Sequence, residues 1–178
     1  SMTTNVLLER YLKTNPWVRN PLADADRRRF DTTFKLFEKY AAQYQFDALL
    51  LTAMAYQESR LDHATRSRVG AVGVMQIKPE TAADPNVGIP DIDGLENNIH
   101  AGTKYLRFLR DRYFSDPGVD DFNQTLFTFA AYNAGPARVR QIREDAAERG
   151  LDPNVWFGNV EVAAARRVGR ETVQYVGN

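Results

Sequence analysis

Ala48-Leu49-Leu50-Leu51-Thr52-Ala53-Met54-Ala55-Tyr56-Gln57-Glu58-Ser59 is the stretch that decides how this chain is read. Its first eight residues are apolar nearly all round, which predicts a central, buried helix starting at about Asp47. The anomaly is at its far end. Glu58 follows Met54 and Ala55 by one helical turn and Leu51 by two, so its carboxyl closes an apolar stripe. Desolvation there disfavours the ionised form, which raises the pKa expected of Glu58 and keeps a fraction protonated near neutral pH. That is the condition a general acid needs. Position alone is equally compatible with a helix-end glutamate turned to water.

Outward from this helix the chain continues to read as helix. Upstream, Asp24 caps a segment in which Phe30, Phe34, Phe37, Ala41 and Tyr44 recur at three- and four-residue steps. Downstream, periodicity vanishes between Arg60 and Met75, where Gly70 and Gly73 mark a loop with room for a small β-hairpin over 60–77. Pro79 suits the first turn of a short helix through Ala83, and a clear stripe follows at Leu95, Ile99, Gly102, Leu106, Leu109 and Tyr113. Asp120 or Asp121 starts a helix carrying Phe122, Leu126, Phe129 and Ala130, which Gly135 and Pro136 stop. Pro136 opens the next, with Val139, Ile142 and Ala146, ended by Gly150. Two shorter helices, around Val160 and Thr172, complete a single all-α domain over 23–178. Residues 1–22, with Trp17, Pro16 and Pro21, read as an irregular arm whose Ser1-Met2 start is a tag remnant.

Composition narrows the function. With 178 residues, 43% hydrophobic and 26% charged, the chain can bury a core. Its formal charge is zero, so no long-range field holds DNA or an anionic membrane, and nucleic acid is not an expected partner. Arg27-Arg28-Arg29 and Arg166-Arg167 read as solvated helix faces. The absence of cysteine excludes disulfides, thiol nucleophiles and cysteine-zinc sites, and His63 and His100 are too few for a histidine-rich metal site. Asp91-Ile92-Asp93-Gly94 has the start of a calcium loop, but its twelfth position is Gly102 instead of glutamate. No cofactor is expected. No apolar run spans a bilayer and no signal peptide opens the sequence.

Three further clusters carry polar chemistry. The loop Gly70-Ala71-Val72-Gly73-Val74-Met75-Gln76 places small residues where backbone turns tightly or approaches a neighbour, and Gln76 and Ser67 offer the neutral donors and acceptors that recognise sugar hydroxyls. It lacks the spacing of a phosphate-binding loop. Ala130-Ala131-Tyr132-Asn133-Ala134-Gly135 brings a tyrosine and an asparagine to a helix end, a common packing arrangement in itself. In Glu171-Thr172-Val173-Gln174-Tyr175-Val176, Tyr175 is the polar-tipped member of an apolar turn. Trp156-Phe157 could stack on sugar, but two adjacent aromatics more often pack a core.

Taken in order, Glu58-Ser59, Gly70 to Gln76, Ala131 to Gly135 and Tyr175-Val176 resemble the four motifs of the soluble lytic transglycosylase family. Asn98-Ile99-His100-Ala101-Gly102 with Tyr105-Leu106 resembles the helix between its second and third motifs. The stretch Gly150 to Phe157 is most similar to the branch of membrane-bound lytic transglycosylase F. The resemblance covers roughly residues 45–176. It implies a lysozyme-like fold and cleavage of the β-1,4 bond between N-acetylmuramic acid and N-acetylglucosamine in peptidoglycan, with 1,6-anhydromuramic acid ends as product. Carried over motif by motif, Glu58 becomes the catalytic acid and then base, and Ser59 a supporting residue. Ser67, Met75, Gln76, Tyr132 and Asn133 line the glycan groove, and Tyr175 orients Glu58. The resemblance further implies a periplasmic, outer-membrane-associated protein, a monomer, with an N-terminal domain similar to solute-binding proteins absent from this chain. Val74 stands where the family more often has leucine, and Leu61 and His63 where it has phenylalanine and proline. Two alternatives share the fold: a goose-type lysozyme-like hydrolase, which needs a second carboxylate to activate water, and a non-catalytic peptidoglycan-binding module. Asp62, four residues past Glu58, reads as a loop-ordering residue and not as that second carboxylate.

Overall fold

The structure, a computed structural model, describes residues 24–167. The arm over 1–22, the helix expected around Thr172, and Tyr175 lie outside them. Among the described residues the architecture is all-α. Helices α1 (Asp24–Tyr44), α2 (Ala48–Ser59), α3 (Pro79–Ala83), α4 (Leu95–Tyr113), α5 (Asp121–Ala134), α6 (Pro136–Glu148) and α7 (Glu161–Arg167) follow one another without a strand. Packing divides the chain into a unit up to Thr103 and a unit from Lys104, and α4 contributes residues to both. Among the described residues no helix is long and apolar enough to cross a membrane.

In the first unit α1 packs on α2, burying Phe37, Tyr40 and Ala41 from one helix and Leu51, Met54 and Ala55 from the other. Asp47 starts α2 as the sequence suggests. Its Oδ1 accepts from the backbone N–H of Leu49 at 2.9 Å and of Leu50 at 3.0 Å, satisfying two donors that helix geometry leaves unpaired. The helix is not buried all round, however. Leu49, in its first turn, is 42% exposed, and Leu50 is half-buried, so the apolar run overstates its burial.

Helix α1 also meets α4. Lys39 Nζ lies 2.6 Å from Glu96 Oε1, to which the Tyr40 hydroxyl donates at 2.8 Å. The Tyr40 ring stacks on His100 at 4.5 Å, and the Tyr44 hydroxyl sits 2.7 Å from His100 Nε2. The hydrogen bond from Lys39, and then that from Tyr40, hold the Glu96 carboxyl below its ordinary value. The same bond to Glu96 holds Lys39 above its own.

The segment after α2 has no ladder of its own. The expected hairpin reduces to two single antiparallel bridges, Arg66 with Val72 and Val72 with Ile77. Asn98, on α4 and with no exposed surface, does the pairing instead. Its Oδ1 accepts from Met75 N–H at 2.9 Å, while its Nδ2 donates to the carbonyls of Val72 at 2.9 Å and Ile92 at 3.1 Å. One turn on, a Cβ on Gly102 would come within 2.7 Å of Met75 Cβ, so only glycine lets loop and helix approach this closely.

The second unit is built on α5 and α6, with the turn Trp156–Val160 and α7 packed against them. Leu109, Phe114, Leu126, Phe127, Val139 and Ile142 surround Trp156. Asp120 caps α5 by accepting from Asn123 N–H at 2.7 Å. Gly135, at φ 90 and ψ 146, ends α5, and Pro136 begins α6 in the position where a missing N–H costs nothing. The short helix expected around Val160 is interrupted: Phe157 is extended and Gly158 left-handed before α7 starts at Glu161. Trp156 has no exposure and Phe157 is half-buried, as core packing requires, while Arg28, Arg29, Arg166 and Arg167 are exposed.

Two outcomes follow from the α4 contacts. Asn98→Ala takes the partner from Met75 N–H and the Ile92 carbonyl, leaves the Val72 carbonyl with Ile77 N–H alone, and should cost about 2–4 kcal/mol, from the penalty of leaving buried polar groups unpaired. Asn98→Asp, nearly the same shape, should destabilise at least as much at neutral pH, because a carboxylate oxygen then faces the Val72 and Ile92 carbonyls; urea midpoints near that of the parent chain would contradict both. For Glu96, a folded-state value below the unfolded one means stability present above the unfolded value and lost as pH falls through the folded one. Glu96→Gln should therefore flatten the acid limb of the urea midpoint against pH, below about pH 4, and an unchanged limb would contradict it.

Candidate functional site

Glu58 is the last residue but one of α2 and is half-buried. The chain leaves the helix abruptly. Arg60 and Leu61 both take left-handed φ, 57 and 58, and the Arg60 N–H donates back to Tyr56 O at 2.8 Å. Gln76, at φ 49, is a third residue of this kind in the same unit. Each such non-glycine residue costs about 1–3 kcal/mol and persists only where its surroundings fix it. Three of them bracket the stretch between Glu58 and Gln76.

Those surroundings can be named. Ser59 is buried, and its Oγ donates to Val74 O at 2.7 Å, joining the end of α2 to the Gly73–Gln76 turn. Val74 N–H donates to His63 Nδ1 at 3.2 Å, and His63 Nε2 lies 2.6 Å from Asp93 O. Gln76 folds its amide back on the loop, with Nε2 donating to Thr65 O at 3.1 Å and Gly73 O at 2.8 Å. Both amide hydrogens are thus committed. Its Oε1 accepts no hydrogen bond among the described residues, so it is an acceptor held in a fixed direction. Ser67 is half-buried, and its Oγ accepts from Ala71 N–H at 2.9 Å, closing the turn that Gly70 makes at φ 87.

The residues singled out from sequence therefore separate into groups. Glu58, Ser59, Ser67, Met75 and Gln76 fall in one packing unit. Met75, expected to line a groove, has no exposed side-chain surface and packs beneath the loop against Gly102. Tyr132 and Asn133 belong to the other unit, in the last turn of α5. Tyr132 is half-buried with its ring 5.7 Å from Tyr105, and Asn133 is exposed. Tyr175 lies outside the described residues. Asp62 is exposed, and its Oδ1 accepts from Ala64 N–H at 3.0 Å, the local turn contact of a loop-ordering residue. Among the described residues no group of three His, Cys, Asp or Glu side chains gathers as a metal site. Sequence reasoning passed over the scaffold: Asn98 entered only through a motif, and His63 only in counting histidines and as a departure from a motif. No local pattern marks either, since most of their partners are 11 to 30 residues away.

The end of α2 thus carries a half-buried glutamate and is joined, through Ser59, to a loop turn with an oriented neutral acceptor. That chemistry suits proton transfer on an uncharged, hydroxyl-rich substrate.

Comparison with known proteins identifies the family. Residues 35–154 match the transglycosylase SLT domain family. The chain is 39% identical, over 71% of its length and 27% of the relative's, to a membrane-bound lytic murein transglycosylase F of Desulfosudis oleivorans. It is 32% identical, over 98% of its length and 28% of the relative's, to the soluble lytic murein transglycosylase of Escherichia coli K12. An X-ray structure of an inactive mutant of lytic transglycosylase Slt from Pseudomonas aeruginosa, in which a glutamate is replaced by glutamine, superposes with a TM-score of 0.60 at 26% identity. The match covers 92% of this chain and 24% of that one. The chain thus spans about a quarter of the length of the curated relatives it matches. With a match across most of its length, the chain belongs to the transglycosylase SLT domain family.

Proposed function

We propose that this chain is a peptidoglycan lytic transglycosylase, cutting the β-1,4 bond between N-acetylmuramic acid and N-acetylglucosamine without consuming water. The observation that carries the reading is the single carboxyl of Glu58, half-buried at the C-terminal end of α2 and coupled through Ser59 to the Gln76 turn. Kinship with proteins named lytic murein transglycosylases supports the same substrate.

In this mechanism Glu58 donates its proton to the glycosidic oxygen as the bond from that oxygen to the muramic acid C1 breaks. Positive charge develops at C1, and the sugar's own N-acetyl oxygen stabilises it. The C6 hydroxyl then forms the new bond to C1, and ionised Glu58 takes its proton. A 1,6-anhydro ring closes and the acid is regenerated. One carboxyl serves both steps because the nucleophile belongs to the substrate; an ordinary glycosidase divides the work between two. Gln76, Ser67, Tyr132 and Asn133 meet the glycan, Ser59 and Met75 hold the loop from beneath, and Tyr175 orients Glu58. The chain acts as a monomer in the periplasm, with a solute-binding-like companion domain and an outer-membrane location in the full-length protein.

Glu58→Gln keeps the size and much of the hydrogen bonding but cannot give or take the proton. It should retain the fold and glycan binding while losing about 10²–10⁴ in turnover, the typical worth of such catalysis. The check is release of soluble fragments from purified peptidoglycan, together with a pull-down of the variant on the insoluble wall. Near-parental turnover would remove Glu58 from the mechanism.

A further inference from the structure

His63 has both ring nitrogens engaged by backbone groups whose roles are fixed. Val74 N–H can only donate, so Nδ1 accepts, at 3.2 Å. Asp93 O can only accept, so Nε2 carries the hydrogen, at 2.6 Å. These two partners together admit one form of the ring, the neutral Nε2–H tautomer. A protonated ring would set an Nδ1–H against the Val74 N–H, two donors facing each other, and that bond would be lost. The ring is also closely fitted. A Cβ on Gly73 would come within 2.6 Å of His63 Nδ1 and Cε1, so the ring packs directly on the loop where only glycine fits.

What the ring holds matters more than the bond itself. Val74 is gripped on both sides: its N–H by His63 and its C=O by Ser59, the neighbour of Glu58. The next residue but one is Gln76, whose amide is tied to the same turn through Gly73 O. We infer that His63 is a positioning residue: in its neutral form it bridges the Asp93 carbonyl to the Val74 N–H and holds the Gly73–Gln76 turn in register with the end of α2. The functional consequence rests on the glycan-cleaving reading given above; the structural one does not. The charged groups around the ring are Asp62 and Arg66 on its own loop and Asp93 on the segment before α4. Arg66 Nη1 donates to His63 O at 2.9 Å, and its Nη2 lies 3.9 Å from Asp93 Oδ1. Asn98 is the neighbour from α4 itself and is neutral.

The test combines ring spectroscopy with two variants of the whole chain. Long-range ¹H–¹⁵N spectra of the parent chain at neutral pH should show His63 with a hydrogen on Nε2 and a bare Nδ1. His63→Ala should speed hydrogen exchange at the Val74 amide and lower kcat/KM on peptidoglycan roughly five- to thirty-fold, the span set by one or two net hydrogen bonds. His63→Asn places an amide oxygen near the Nδ1 position and cannot protonate. It should restore slow Val74 exchange and most of the activity. An Nδ1–H tautomer, or Val74 exchange unchanged in His63→Ala, overturns the proposal. So does Val74 exchange in His63→Asn as fast as in His63→Ala. If His63→Ala does not fold, the parent ring spectrum and His63→Asn still decide. A parent chain inactive on peptidoglycan overturns the glycan-cleaving reading alone, because spectrum and exchange answer for the ring separately.

Discussion

Backbone polar groups buried without secondary structure must each find a partner, and the segment from Arg60 to Ile77 meets that requirement in part with two isolated bridges and scattered turn bonds of its own. Three side chains meet it from outside the turn. Asn98 pairs with Val72 and Met75, His63 with Val74 N–H, and Ser59 with Val74 O. These contacts, with the Arg60 N–H bond to Tyr56 O and the Gln76 amide bonds to Thr65 O and Gly73 O, hold a segment that carries left-handed residues at Arg60, Leu61 and Gln76. The helices of this unit act as a frame on which one irregular turn is held, and that turn carries the oriented amide.

The second unit solves a similar problem after α6, again with side chains in place of a ladder. Asn123 accepts from Trp156 N–H at 2.8 Å, while its own amide donates to Asp120 at 2.8 Å. Arg143 donates to Pro153 O at 2.9 Å and Asn154 Oδ1 at 3.0 Å, pairs with Asp116, and lies over the Phe127 ring at 4.8 Å. Arg110, nearly buried, pairs with Asp121 and reaches Gln124 and Thr125. Planar, multi-donor side chains recur here because one of them can satisfy several carbonyls at once. The result places the last turn of α5, with Tyr132 and Asn133, on a packed base.

The elements legible in the sequence are those set by local chemistry. Asp47 and Asp120 announce helix starts because a short carboxylate matches the free N–H groups. Gly135-Pro136 announces a boundary because one residue takes a positive φ and the other lacks an N–H. Glu58 stood out in the sequence because a charge ending an apolar run is uncommon, and the structure has it half-buried at the end of α2. What remained hidden depends on distant partners. The hairpin expected from Gly70 and Gly73 is reduced to two single bridges, and Asn98, from a distant helix, supplies further pairing to Val72 and Met75. The exposure of Leu49 reflects which face of α2 is covered, and composition carries no such information. Met75 and Ser59 belong to the motifs as written, yet their burial gives them a supporting place under the loop, and only packing reveals it.

A frame this specific around one carboxyl makes sense if the substrate brings its own nucleophile, because the protein then has one proton to manage and a glycan to hold still. Mass spectrometry of the soluble products from purified peptidoglycan digested by this chain tests that most directly. The account predicts fragments lighter by one water than their hydrolysed counterparts, ending in 1,6-anhydromuramic acid. Reducing muramic acid ends would contradict it, because they would make water the nucleophile and require a second group to activate it.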